Sequence, residues 1–155
     1  MSDARSDAKS DSKYDVSHHI LLVEDNPGDV VLIRRALAHK QPPVCLHVAT
    51  DGPQALAYTR RCAEGMEPSP HLILLDLNLP KMDGCELLLH FKQDRALMSV
   101  PVVILSSSQA EIDIVRSYAH DANCYVTKPL DLEQFLAVIG AVHRYWLTAV
   151  QIAKE

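Results

Sequence analysis

Short apolar runs and helix-period segments alternate five times along this chain. The first strand-like run is His19–Val23. Pro27-Gly28-Asp29 then opens a helix, with Pro tolerated in its first turn. Val30, Ile33 and Leu37 follow helical spacing, and Pro42-Pro43 stops the segment. Val44–Ala49 reads as the second strand. Thr50-Asp51-Gly52-Pro53 starts a second helix carrying Ala55, Leu56 and Tyr58. A loop from Gly65 to Pro70 leads into Leu72–Leu75, the third strand. Asp83-Gly84 precedes a helix with Leu87, Leu88 and Phe91 on one face. Pro101 leads into the strand Val102–Leu105. The next helix spans about Ala110 to Ala119, with Ile112, Val115 and Ala119 along one face. Cys124–Thr127 is the fifth strand. A last helix begins near Asp131 and carries Phe135, Val138, Ile139, Val142 and Trp146.

Strands alternating with helices predict a parallel sheet covered on both faces. Right-handed crossovers favour a doubly wound α/β sandwich. The expected architecture is a (βα)₅ flavodoxin-like fold with strand order 2-1-3-4-5, in which strands one and three meet at the switch point. There is no internal repeat. Residues 1–17 are mostly Ser, Asp, Lys and Ala, and are expected to form a disordered tail. The domain is expected over 18–148, with a C-terminal extension at 149–155.

The polar residues that end the apolar runs carry the chemistry. Ile20-Leu21-Leu22-Val23 ends in Glu24-Asp25, and Leu72-Ile73-Leu74-Leu75 ends in Asp76. Val102-Val103-Ile104-Leu105 ends in Ser106, and Cys124-Tyr125-Val126-Thr127 ends in Lys128-Pro129. In open α/β sheets the C-terminal strand ends are where ligands bind. Two carboxylates about 4 Å apart repel by ~4 kcal/mol at an effective dielectric near 20, a poor way to stabilise a fold. A hard divalent cation relieves that repulsion, and Mg²⁺ characteristically bridges carboxylates to a phosphate. The bland alternative is that each acid only caps a strand or helix.

Composition narrows the classes. The chain has 155 residues, 48% of them apolar, with a formal charge of −5. That suffices for one core and argues against a general nucleic-acid surface. No stretch approaches the ~20 apolar residues of a membrane span, and no signal-peptide core is present, so the expected compartment is the cytoplasm. Cys45, Cys62, Cys85 and Cys124 match no zinc or redox spacing and are expected to be reduced thiols. His18-His19 is expected to be a polar lead-in to the first strand rather than a metal contact.

The motifs Leu22-Val23-Glu24-Asp25-Asn26, Leu74-Leu75-Asp76-Leu77-Asn78-Leu79-Pro80 with Asp83-Gly84, Ile104-Leu105-Ser106 and Tyr125-Val126-Thr127-Lys128-Pro129 resemble those of a response-regulator receiver domain (CheY-like). The resemblance covers about residues 18–148. It implies that Asp76 accepts a phosphoryl group from a phosphohistidine on a sensor histidine kinase. It implies that Glu24, Asp25, Asp76 and the backbone carbonyl of Asn78 hold Mg²⁺. Ser106 would then hydrogen-bond the phosphoryl oxygens, Lys128 would pair with the phosphoryl group or Asp76, and Lys128–Pro129 would be cis. Tyr125 would be a switch aromatic coupled to Ser106, against the plainer reading of a half-buried strand tyrosine. Moving a two-state domain from 1:99 to 99:1 takes ~5.5 kcal/mol, more than the ~1.5–3 kcal/mol of one charged hydrogen bond. Ser106 therefore needs Lys128 and the metal beside it.

The run Glu24-Asp25-Asn26-Pro27-Gly28-Asp29 resembles a single-domain subgroup paired with bacterial phytochrome-type histidine kinases. No output motif follows the last helix, so the expected output is binding. Leu132, Leu136, Leu147 and Val150 are apolar beyond the needs of one core stripe, and are expected to form a homodimer interface on the side of helix four, strand five and helix five. Three other classes compete. A phosphorylation-independent pseudo-receiver is disfavoured by Asp76, Ser106 and Lys128. A Mg²⁺ phosphatase using Asp76 would want Asp where Asn78 stands. A dinucleotide-binding domain would want Gly-x-Gly-x-x-Gly after strand one.

Overall fold

The computed structural model describes residues 17–118 and 122–149. Five parallel strands form one sheet: β1 (His18–Val23), β2 (Val44–Ala49), β3 (Leu72–Asp76), β4 (Val102–Ser106) and β5 (Cys124–Thr127). Their order is β2-β1-β3-β4-β5, as the flavodoxin-like reading requires. Five helices connect and cover them: α1 (Pro27–Leu37), α2 (Gly52–Ala63), α3 (Gly84–Gln93), α4 (Gln109–Tyr118) and α5 (Leu132–Arg144). A π-helical turn, Tyr145–Ala149, continues α5.

The sheet divides the core in two because successive strand side chains alternate faces. Leu21, Val23, Ile73, Leu75, Val102 and Ile104 pack with α2, α3 and α4 through Ala55, Tyr58, Leu87, Phe91, Ile112 and Val115. Ile20, Leu22, Leu72, Leu74, Val103 and Leu105 pack with α1 and α5 through Ile33, Leu37, Phe135, Ile139 and Val142. Both faces are covered, so β3 and β4 are buried throughout and read as unbroken apolar runs. Four helices start on short acceptor side chains: Asn26, Asp51, Asp83 and Asp131 each accept a backbone N–H of the first turn.

Strands β3 and β4 run one residue further than their apolar stretches, because Asp76 pairs with Leu105 and Ser106 with Thr127. These two polar residues are therefore held inside the ladder. Gly84 fixes the turn beyond Asp76: a Cβ there would lie 2.8 Å from the Leu77 Cα, so α3 approaches this turn only without a side chain.

Several expectations need correction. Leu147, expected at an interface, is 1% exposed and belongs to the α1–α5 core, because the π-helical turn swings it inward. Lys128–Pro129 is not cis; the cis bond among the described residues is Gln41–Pro42. The tertiary amide retains a trans preference of ~0.5–1 kcal/mol unless packing overrides it. His18-His19 are the first residues of β1 rather than a lead-in to it. They join an imidazole cluster in which His19 Nδ1 lies 3.1 Å from His47 Nε2 and the His19 amide donates to His71 Nδ1 at 2.9 Å. All four cysteines are free thiols. Residues 1–16, 119–121 and 150–155 lie outside the described residues, and with them the expected N-terminal tail, Ala119, Val150 and most of the C-terminal extension.

Candidate functional site

The strand ends converge where the order reverses. Val23 pairs with Leu75, so the residues that follow them, Glu24 and Asp76, stand side by side at the β1–β3 switch point. Glu24 is anchored by its amide, which donates to the Ala49 carbonyl at 2.9 Å. Lys128 is anchored the same way, its amide donating to the Ser106 carbonyl at 2.7 Å. A cleft of about 450 Å³ opens here, lined by Glu24, Asp25, Asn26, Pro27, Asp29, Asp76, Asn78, Ser107 and Lys128.

One ammonium serves several carboxylates. Lys128 Nζ donates to Glu24 Oε1 at 2.7 Å and to Asp29 Oδ2 at 2.8 Å, and lies 3.5 Å from Asp76 Oδ2. Burial by itself would lower the lysine pKa; the hydrogen bonds to Asp29 and Glu24 and the charge of Asp76 outweigh it and hold Lys128 above the ordinary lysine range. Glu24 is fully buried. Desolvation, then its hydrogen bond with Asp76, pushes its pKa up to about 7 despite Lys128. The two shifts agree physically. Lys128 stays charged, but one cation beside Glu24, Asp25, Asp29 and Asp76 does not offset the desolvation of the deepest acid, which stays above the ordinary carboxylate range.

The same imbalance suits a cation. One carboxylate oxygen each from Glu24, Asp25 and Asp76 lie within 4.8 Å of one another. Opposite ligands of an octahedral Mg²⁺ stand about 4.2 Å apart, so small side-chain rotations bring these oxygens to a single ion. Asp25 is exposed, which leaves room for retained waters. All-oxygen donors fit Mg²⁺ or Mn²⁺.

The structure therefore brings Glu24, Asp25, Asp76, Asn78 and Lys128 together. The Asn78 amide donates to Asp76 Oδ1 at 3.3 Å, which orients the Asp76 carboxyl. Ser106 sits beside the site but is turned away from it: its hydroxyl donates to Glu111 Oε1 at 2.8 Å, and Ser107 lines the cleft instead. Tyr125, on β5, packs against the core under the Arg116 guanidinium, 5.0 Å from the ring centroid. Leu132 is exposed and Leu136 half-buried on α5. Two residues of the site were not picked out from the sequence. Asp29 lies one turn after Asp25, a spacing that hints at a shared face. Glu111 completes the pattern Ser108-Gln109-Ala110-Glu111, a capping-box signature.

Comparison with known proteins places this geometry. Residues 20–140 match the response regulator receiver domain family. Response regulator Rcp1 of Synechocystis sp. is 39% identical over 134 residues, covering 86% of this chain and 91% of that protein. The crystal structure of the phosphorylated cyanobacterial phytochrome response regulator RcpA superposes with a TM-score of 0.79 at 44% identity, covering 86% of this chain and 96% of that one. The Mn²⁺-bound form of Rcp1 gives a TM-score of 0.76 at 39% identity, covering 84% of this chain and 95% of that one. With the receiver fold, the strand-end acids and a family match over most of its length, this chain belongs to the response regulator receiver domain family of two-component signalling proteins.

Proposed function

We propose that this protein is a cytoplasmic phosphoacceptor that takes a phosphoryl group from a sensor histidine kinase onto Asp76. The observation that carries the reading is the Asp76 carboxyl, 4% exposed, at a strand end with oxygens of Glu24 and Asp25 within 4.8 Å and an ammonium 3.5 Å away. An Asp76 oxygen attacks the phosphorus of the kinase phosphohistidine, the P–O bond forms as the P–N bond breaks, and the imidazole leaves with its electron pair. Phosphoryl transfer of this kind depends on positioning and charge stabilisation more than on covalent help. Lys128 supplies fixed positive charge beside the attacking carboxylate. Glu24, Asp25, Asp76 and the Asn78 carbonyl would hold Mg²⁺. The ion would neutralise phosphoryl oxygens when bound. The Mn²⁺-bound state of the relative Rcp1 supports a divalent-cation site.

The kinase is proposed to be of the phytochrome type, on the likeness to the phytochrome response regulator RcpA. Output is proposed to be self-association. Ile114, Leu130, Leu132 and Tyr145 are exposed on the α4, β5 and α5 side, with Leu136 half-buried among them. Burying one such side chain is worth ~1.5–3 kcal/mol, so part of this surface can support a homodimer after association costs. Ser106 and Tyr125 on the same side would couple phosphorylation to it.

Acetyl phosphate with Mg²⁺ is expected to add one phosphoryl mass to the wild type and none to Asp76→Asn. Equal labelling of the Asn variant by intact-mass measurement refutes the assignment. Sedimentation with and without beryllofluoride tests assembly. A monomer in both states at high concentration, or a dimer indifferent to Leu136→Asp, removes this interface.

A further inference from the structure

Ser106 ends β4 almost completely enclosed, 1% exposed. Its hydroxyl carries one proton to donate. That proton is directed at Glu111 Oε1, 2.8 Å away, with the Ser108 carbonyl a longer second acceptor at 3.3 Å. Ser106 Oγ itself accepts the Ser108 amide at 3.1 Å. Ser108 Oγ in turn accepts the Glu111 amide at 3.2 Å.

These bonds describe an interrupted capping box. In the usual box, the Glu carboxylate at the third helical position accepts the amide of the capping residue directly. Here the Ser106 hydroxyl is interposed: it receives the Ser108 amide and passes its own proton to Glu111. The residue at the end of a central strand is thereby tied to the first turn of α4. Glu111 is half-buried and lines a cleft with Leu77, Asp83, Cys85, Ile114 and Val115, so its carboxylate is partly shielded from competing water.

We infer that Glu111 is a positioning residue that holds the Ser106 hydroxyl away from the Asp76 site until a phosphoryl group competes for the same proton. The inference rests on the phosphoacceptor reading of Asp76. One proton cannot serve two charged acceptors, so Ser106 must leave Glu111 to reach a phosphoryl oxygen. Its departure removes the link between β4 and α4. Phosphorylation at the strand end thus becomes a change at the N-terminus of a helix on the proposed interface side. The strength of the Glu111 bond sets the threshold for that change.

The test is the affinity for beryllofluoride in Mg²⁺, measured by ¹⁹F NMR for the wild type, Glu111→Ala, Glu111→Gln, Ser106→Ala and the double variant Ser106→Ala/Glu111→Ala. Glu111→Ala is expected to bind about fivefold to tenfold more tightly, the loss of roughly one net hydrogen bond. Glu111→Gln keeps an acceptor at the same place and is expected to stay near the wild type. In the Ser106→Ala background the alanine at Glu111 should have no effect, since the coupling passes through the hydroxyl. Equal gains in the Ala and Gln variants, or a gain that persists without Ser106, assign the effect to charge and overturn the inference. An unchanged or weaker affinity in Glu111→Ala overturns it as well. A second readout needs neither metal nor phosphoryl: exchange of the Ser108 amide should accelerate in Glu111→Ala and not in Glu111→Gln. Slow exchange in both refutes the latch. A wild type that binds no beryllofluoride counts against the phosphoacceptor reading, while the amide exchange still decides the role of Glu111.

Discussion

Replacing Lys128 by Met tests whether the strand-end site is a charge-balanced cluster. Its ammonium lies 2.7 Å from Glu24, 2.8 Å from Asp29 and 3.5 Å from Asp76. The lysine side chain is 11% exposed, so water does little of the compensation. Methionine keeps the apolar stem and removes the charge. Each direct attraction is worth ~5–6 kcal/mol at an effective dielectric near 20, most of it offset by desolvation. The measurable cost of removing one partner from a buried pair is ~3–5 kcal/mol. Asp29 is 24% exposed, so solvent screens its pair with Lys128 more than the other two.

For a domain of this size, ~2–4 °C of Tm corresponds to each kcal/mol, so the metal-free variant should melt on the order of 10 °C lower near pH 8. The deficit should shrink on acidification. Without Lys128, which holds the Glu24 pKa down, Glu24 rises further above its unfolded value, and a group of that kind destabilises the fold when ionised and ceases to do so when protonated. Millimolar Mg²⁺ should recover most of the loss, because a divalent cation can replace the missing charge. The assay is thermal unfolding of both proteins at two pH values with EDTA and with Mg²⁺. A variant that loses no stability in EDTA near pH 8 refutes the charge-balance argument. So does a Mg²⁺ increment no larger in the variant than in the wild type.

The raised pKa of Glu24, about 7 against an ordinary 4.5, means that its contribution to stability is present below the unfolded value and lost as pH rises through about 7. Mg²⁺ should therefore raise the Tm more near pH 8 than near pH 6, and Glu24→Gln should flatten that difference; a Mg²⁺ increment independent of pH would sink the assignment. Asp25→Asn should weaken Mg²⁺ binding by calorimetry more than Glu24→Gln does, since Asp25 is the solvent-facing oxygen donor; equal affinities would remove Asp25 from the ligand set. Leu147→Ala should lower stability by ~2–5 kcal/mol in urea unfolding, as for a core leucine. A loss under about 0.5 kcal/mol would return Leu147 to the surface.

The strand cores were legible because both faces of the sheet are covered, leaving unbroken runs such as Leu72–Leu75 with no competing helical phase. Their functional ends were harder to delimit. Asp76 and Ser106 look like loop residues by polarity, yet the parallel ladder extends through them. Leu147 was misread for a different reason. Carried on from Val142 in an α-helix, it would point about 140° away; an i→i+5 turn brings it back over the same face. No hydrophobic pattern in Tyr145–Ala149 announces that change of period.

The acids separate into two kinds by the same logic. Glu24, Asp25 and Asp76 were found because each ends an apolar run, and the order of a doubly wound sheet is enough to bring such ends together. Asp29 and Glu111 end no run. Asp29 enters only because Lys128 reaches across the switch point to it, a convergence of residues about a hundred positions apart in the chain. The one signal the sequence carries for Glu111 is its capping-box spacing from Ser108, and capping has several solutions of similar energy. Whether its carboxylate accepts the Ser108 amide or the Ser106 hydroxyl is a choice between hydrogen bonds each worth ~0.5–3 kcal/mol. A switch must be built from such near-degenerate choices, since a residue with one overwhelming partner could not change it on phosphorylation. The residues that place the chemistry are therefore legible in the pattern of the chain, while those that set its threshold are legible only in the structure.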